Sequence, residues 1–279
     1  MNKIKQLTLM LLVAVSLNSC SNQKADNDWT RDNLNGSVQS FKAFSSIIEK
    51  GKEKKENSME LDQQTTYDTK GNKVEWDLYK SNGSIESKET YKHNDKGQKI
   101  EQSSYNSDGS VETKLTYKYD DNGHKSEVNS YKSDGSLVSK ETYKYGTKGH
   151  EIEGIGYNSD GSVDSKDAYK YDDKGNRMAW SQFDSDGSLV YKWTYKYNDN
   201  GNKTEMNLYS SKGNLQNKKT YTYNDHGNIM EMSSYKPDGS LETQWTHIYD
   251  YDKNGNWTKE IVSESDIPTF IFEREYKYY

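Results

Sequence analysis

Along residues 111–119, apolar and polar positions alternate. Val111, Thr113, Leu115, Tyr117 and Tyr119 fall on one side, and Glu112, Lys114, Thr116 and Lys118 on the other. Alternation at period two predicts a β-strand with two unlike faces. The pattern returns every 26 residues. Tyr67, His93, Tyr119, Tyr145, Tyr171, Tyr197, Tyr223 and Tyr249 form one column. Tyr79, Tyr105, Tyr131, Tyr157, Phe183, Tyr209 and Tyr235 form a second. A glycine follows four residues after every member of the second column, and after the first column up to Tyr223. Such a fixed period marks a repeat architecture. Seven copies occupy residues 67–248, and a two-residue insertion before Gly255 breaks the phase.

Each copy holds two turns, one like YDDNG (119–123) and one like SDGS (107–110). Asn-Gly and Asp-Gly supply the positive φ that hairpin turns need. The stretches between turns have strand length, and strands joined by such short turns run antiparallel. The chain therefore reads as all-β, a repetitive antiparallel β-hairpin meander. About fifteen strands at ~4.8 Å spacing would make a flat sheet about 70 Å wide. Twisted sheets curl beyond ~10 strands, so a spiral or partial barrel is expected, with the Tyr117 and Val111 columns inside.

Register decides what that inside contains. Lys88, Lys114, Lys140, Lys166, Lys192 and Lys218 form a lysine column, and Glu75, Glu101, Glu127, Glu153, Glu205 and Glu231 a glutamate column with Ala179 as its gap. Two-residue turns place Thr116 opposite Glu127, with Lys114 and Lys118 diagonal to it. That register buries Val74, Trp76, Leu78, Ile100, Met178, Trp180, Met206 and Met232, and leaves the Tyr105 column on the charged face. A glycine bulge at each turn would instead flip one strand of every pair and bury the Tyr105 and glutamate columns. The first register is preferred because its inner face is more apolar.

The flanks read differently. Residues 1–19 carry Lys3 and Lys5, then an uncharged run from Leu7 to Leu17, as a signal peptide does. That run is too short to span a bilayer, which needs ~20 residues. Residues 20–34 read as a polar tether. Residues 35–66 read as N-terminal capping strands, with 36–48 taken as strand rather than helix and 49–57 as a charged turn. Residues 249–279 read as C-terminal capping strands, 258–262 and 269–279, around an irregular connection.

Composition narrows the function. Hydrophobic residues make up 30%, and 24 residues are Tyr; mean hydropathy is −1.22. No thick aliphatic core can be built from this. Disorder is opposed by 13% aromatics, only two prolines and the strict ordering of positions. The net charge of −6 lacks the basic excess of a nucleic-acid binder. A single cysteine, Cys20, excludes a disulfide framework and a cysteine-rich zinc site. No cofactor or metal is expected.

Leu17-Asn18-Ser19-Cys20 resembles the lipobox of bacterial lipoproteins. The resemblance implies lipidation of Cys20, a membrane anchor at that residue, and an outer-membrane lipoprotein on the periplasmic or cell-surface side. The stretch SNQKADND (21–28) resembles the surface-export signals of some Gram-negative lipoproteins; a plain polar tether is the other reading. Tyr171-Asp172-Asp173-Lys174-Gly175-Asn176 resembles the YD repeats of RHS-type proteins, over about residues 67–257. That resemblance implies hairpins coiled into a shell. This array is too short for a closed capsule, and its SDGS turn departs from the family pattern. The Tyr-x-x-x-Gly units also resemble MORN-like antitoxin repeats, which imply an immunity-like partner of a secreted toxin.

Candidate chemistry is sparse. His93, His124, His150, His226 and His247 occupy places filled by Asn, Gln or Tyr in sister copies, and no nucleophile elbow or P-loop is present. No enzyme is expected. Residues 250–255 match the first half of a calcium loop, but its twelfth position is Ile261 where a bidentate Glu is needed. The remaining candidates are Trp180, Tyr191, Trp193, Trp245 and Trp257, which read either as filling of the core at the wider end or as aromatic platforms for a glycan or a protein partner.

Overall fold

The structure is a computed structural model that describes residues 27–48 and 59–279. The signal peptide, Cys20, the export-like stretch up to residue 26 and the charged turn at 49–57 lie outside the described residues. A single helical turn, α1 (Asp28–Arg31), is capped by Asn27 and followed by eighteen strands. These are β1 (Val38–Ile47), β2 (Glu60–Tyr67), β3 (Lys73–Tyr79), β4 (Ile85–His93), β5 (Lys99–Tyr105) and β6 (Val111–Tyr119). Next come β7 (Lys125–Lys132), β8 (Leu137–Tyr145), β9 (Glu151–Asn158), β10 (Val163–Tyr171), β11 (Arg177–Asp184) and β12 (Leu189–Tyr197). The last six are β13 (Lys203–Ser210), β14 (Leu215–Tyr223), β15 (Ile229–Tyr235), β16 (Leu241–Tyr251), β17 (Trp257–Glu264) and β18 (Ile267–Tyr278).

Every strand pairs antiparallel with its neighbour in the chain, and β1 also pairs with β18 along Val38–Ile47. The meander therefore closes into a β-barrel. Closure removes the free edges that an open spiral would expose. The terminal strands form the seam of the barrel. The connection expected as irregular is a two-residue turn, with Ser265 and Asp266 at φ of 48° and 65°.

Both turn types share one backbone. Gly123 N–H donates to the Asp120 carbonyl and Asp120 N–H to the His124 carbonyl, with Gly123 at φ 85°. Gly109, Asn106 and Ser110 repeat this geometry at the other end. It is a three-residue loop with a glycine bulge. The side chains that hold it differ. Asp120 Oδ1 accepts from the backbone of Asn122 and His124, whereas Asp108 Oδ1 accepts from both the backbone and the hydroxyl of Ser110.

The glycine bulge alone would turn every second strand over. A second register shift beside it, between Lys118 and Tyr119, restores the parity. Glu127 therefore stays on the lysine face, but opposite Lys118, and Thr116 faces Asn129. The expected Thr116–Glu127 pairing is displaced by two residues, because the turns hold three central residues and a second bulge. Tyr105 lies opposite Lys88, and the Tyr105 column shares the lysine face as the preferred register required.

On that face Glu101, Glu153 and Glu205 each sit between two lysines from flanking strands, whereas Glu231 faces Thr222 and Thr246. Glu101 meets Lys92 at 2.7 Å and Lys114 at 2.5 Å, and Glu153 meets Lys144 and Lys166, both at 2.6 Å. The other face carries Tyr117, Leu115, Gln102 and their equivalents, and is called the tyrosine face here. It is half-buried, because nothing packs over most of it. Of the residues expected inside, Met178 is 47% exposed and Ile100 is 38% exposed. Both stand at the second bulge. The Val111 column sits at strand ends and is also open, with Leu241 exposed.

The dry core lies at the seam. Leu34, Val38, Phe41, Ala43 and Tyr67 form one cluster, with Trp29, Tyr276 and Tyr278 against it. Of the segment expected as a tether, residues 27–34 are docked here. Trp29 Nε1 donates to the Val38 carbonyl at 2.7 Å, and Asn27 Nδ2 to the Lys70 carbonyl at 2.9 Å. Asn35 exchanges hydrogen bonds with the buried Asn256 side chain.

Candidate functional site

The Tyr119 column binds the repeats to one another. Tyr119 Oη donates to the Lys99 carbonyl at 2.7 Å, beyond the end of the β5–β6 ladder at Glu101–Thr116. Tyr145, Tyr197, Tyr223 and Tyr249 do the same to carbonyls twenty residues earlier. Each hydroxyl satisfies an acceptor that the ladder leaves free.

The five aromatic candidates all project on the tyrosine face, but they form two groups. Trp180 on β11 stands directly opposite Trp193 on β12. Tyr191 meets Trp180 edge to face, with centroids 5.6 Å apart at 87°, a favoured aromatic geometry. Trp180 Nε1 donates to Asp167 Oδ1 at 2.7 Å. Burial pushes the Asp167 carboxyl up, and the Trp180 hydrogen bond opposes that. Trp245 lies on β16, opposite Met232, and stacks on Phe270 at 6.1 Å. Trp257 sits at the other end of β17, edge-on to Tyr249 at 6.2 Å and covered by the Arg274 guanidinium at 3.8 Å. Three strands lie between those of Trp193 and Trp245, four spacings or about 19 Å along the sheet. They are not parts of one platform.

Sequence reasoning missed a row of cations on the same face. Lys99 lies over the Tyr117 ring at 4.9 Å, Lys125 over Tyr143 at 3.9 Å, Arg177 over Tyr169 at 4.5 Å and Lys203 over Tyr195 at 4.6 Å. The 26-residue spacing of these positions was visible. Lysines in a repeat read as solvated, however, and only the register shift beside each turn brings them over the rings. Burial among those rings, with the Arg177 charge nearby, lowers the Lys203 amine to about 8.

The histidines contact tyrosine rings or carboxylates. His124, His150 and His226 stack on Tyr145, Tyr171 and Tyr251, with centroids 4.6, 4.8 and 4.0 Å apart. His247 Nδ1 lies 2.7 Å from Glu260 Oε1, which also accepts from Tyr249. His93 stands 3.5 Å from Asp28. Burial raises the Asp28 carboxyl, but the neighbouring His93 imidazole, a hydrogen bond from the Lys73 backbone and the charges of Arg31 and Lys73 hold it at about 2. In the partial calcium loop, Asp252 Oδ1 caps the turn by accepting from the backbone of Asn254 and Asn256. The depressions between adjacent turns are shallow, one lined by Asp172, Lys174, Tyr197 and Asp199.

No family model matches the chain, and no curated protein matches it. Solved structures do. The chain is similar to a porin-like protein of Bacteroides uniformis, at 12% identity and a TM-score of 0.43, over 86% of this chain and 96% of that one. It is similar to a porin-like protein of Bacteroides vulgatus, at 9% identity and a TM-score of 0.39, over 86% and 98%. It is also similar to a Tc holotoxin pore of Photorhabdus luminescens, at 12% identity and a TM-score of 0.36, over 82% of this chain and 14% of that one.

Proposed function

We propose that this chain is a non-enzymatic cell-envelope lipoprotein whose repeat barrel is a binding scaffold, with the tryptophan pair on β11 and β12 as its contact surface for a glycan. The observation that carries this reading is Trp180 directly opposite Trp193, with Tyr191 at a right angle to Trp180. Paired ring faces and an upright edge offer stacking surface to the flat faces of sugar rings, and a half-buried position keeps them reachable. The immunity-like partner role rests on the antitoxin-type repeat resemblance, and no geometry among the described residues stands beside the tryptophan pair in its support.

The membrane attachment belongs to the leader in this reading. A membrane-spanning barrel presents an apolar band ~25 Å tall to lipid. Here the lysine face carries Lys118, Glu127 and Lys114, and the tyrosine face carries Lys99, Glu89 and Arg177. Both faces are interrupted by charge along every few residues, so the acyl chains on Cys20 would hold the protein at the outer membrane. Stable anchoring of this kind needs more than one chain, at ~0.8 kcal/mol per buried CH2.

Two experiments test the proposal. Fractionation of cells expressing the full chain should place it with membranes, and Cys20→Ser should release it. Tryptophan fluorescence of the soluble barrel, titrated with a panel of oligosaccharides, should show saturable quenching that Trp193→Ala removes. Unchanged quenching in that variant would sink the platform.

A further inference from the structure

The charges on the tyrosine face are unevenly distributed. From β4 to β10 each cation has acids near it. Lys99 feels Glu89 and Asp28, and Lys125 feels Glu151, which also faces Arg177. Tyr91 and Tyr143 donate to Glu89 and Glu141 on their own strands. At the position of Glu89 and Glu141, β12 has Trp193 and β14 has Lys219.

From β11 to β14 the balance changes. These four strands contain two carboxylates, Glu205 and Asp184. Glu205 lies on the lysine face, between Lys196 at 2.9 Å and Lys218 at 3.1 Å. Asp184 ends β11 and is taken by the turn, accepting from the backbone of Asp186 and Ser188. The tyrosine face of the same strands carries Arg177, Lys203 and Lys219. Lys203 lies against Tyr195, Tyr195 stands opposite Met206, and Met206 stands opposite Lys219. The tryptophan pair adjoins them, since Trp193 and Tyr195 alternate along β12.

We infer that this patch takes an acidic glycan, a chain of uronic acid residues whose rings stack on Trp180 and Trp193 while a ring carboxylate reaches Lys203 and Lys219. The inference rests on the platform reading above and adds the chemical class of the sugar. Two features favour it over a neutral chain. A cation held among aromatic rings without a carboxylate lacks the partner that such partly desolvated charges usually have. A carboxylate placed there makes charge-assisted hydrogen bonds in surroundings where they are stronger than in water. Arg177, at the edge of the patch, is shared with Glu151 and Asp167 and so is the weaker of the cationic contacts.

The test uses the barrel with trigalacturonate and its methyl ester as probes, followed by calorimetry and tryptophan fluorescence. Trigalacturonate should bind, and its neutral ester should bind about tenfold more weakly, the factor expected for one lost hydrogen bond to a charged group. Lys203→Met with Lys219→Met should remove that discrimination and keep the ester affinity. Because bound carboxylate favours the charged amine, affinity should fall as pH rises through about 8. A far-UV spectrum and melting curve of each variant show that the barrel is intact. Equal affinity for acid and ester, or discrimination that survives the double substitution, overturns the acidic-glycan inference and leaves the platform standing. Absence of binding by either probe, together with unchanged fluorescence, counts against both.

Discussion

The seam and the repeat array are held by different forces. Among the described residues, seven of the nine buried apolar side chains belong to the seam, the strands flanking it and the segment docked on it: Leu34, Val38, Phe41, Ala43, Tyr67, Val262 and Ile271. The long array between contributes Ala179 and Tyr195. It is held by ladders, bulged turns, tyrosine hydroxyls on free carbonyls and lysine–glutamate clamps. A repeat needs only to match its neighbours, so a wet single layer suffices there. The seam has to join two dissimilar ends and uses apolar burial to do it. This division leaves the tyrosine face of the array uncovered, and that is where the tryptophan pair and the unbalanced cations lie.

Core truncation should separate the two regions most widely. Phe41→Ala, at 5% exposure, should cost about 3–5 kcal/mol. Ile152→Ala in the array, at 44% exposure, should stay within about 0.5 kcal/mol. Urea denaturation measures both, and comparable losses would break the comparison.

Turn glycines give a finer contrast. Gly71 and Gly83 have φ of 84° and 79°, so alanine at either costs about 1–2 kcal/mol from backbone strain alone. A Cβ on Gly71 would also lie 2.5 Å from the Trp29 ring, whereas one on Gly83 meets nothing within 4 Å. Gly71→Ala should therefore be the more destabilising by melting temperature, and proteolysis near residue 27 should accelerate in that variant alone.

Within the array, Tyr119→Phe leaves the Lys99 carbonyl without its donor and should cost about 1 kcal/mol. The clamps contribute less each, about 0–1 kcal/mol for exposed pairs, but their pH signature is distinct. Burial pushes Glu205 up, yet hydrogen bonds from Asn207, Lys196 and Lys218 outweigh it and hold the carboxyl at about 2 against an ordinary 4.5. Its folded pKa is depressed, so its contribution is present above 4.5 and is lost as pH falls toward 2. Acid titration of Glu205→Gln should show a shallower loss across that window than the native chain.

Much of this was legible in the residues. The 26-residue columns required an antiparallel meander, and Ala179 opposite Lys170 fills the gap expected in the glutamate column. The exact pairing was not legible, because two bulges side by side cancel in parity and leave no trace in the alternation. Closure was not legible either. β18 ends in Tyr276-Lys277-Tyr278, as Tyr117 to Tyr119 end β6, but its first half matches no repeat, and only its pairing with β1 shows that the ends meet. The tryptophans were visible as an excess, but their division into two groups depends on strand position. The cations were visible as a column, but Lys203 stands out only when the acids of its neighbours are placed on the opposite face.

The central claim is that β1 and β18 close one barrel within one chain. Lys42 and Glu275 are register partners across that seam, and both are exposed. Facing strand residues have Cα atoms about 4.5–5.5 Å apart, within the range a disulfide bridges. The measurement is oxidation of a Lys42→Cys, Glu275→Cys chain that also carries Cys20→Ser, followed by non-reducing electrophoresis and peptide mapping. The account predicts a quantitative intramolecular disulfide between positions 42 and 275. Free thiols, or linkage only between chains, would show an open spiral and contradict it.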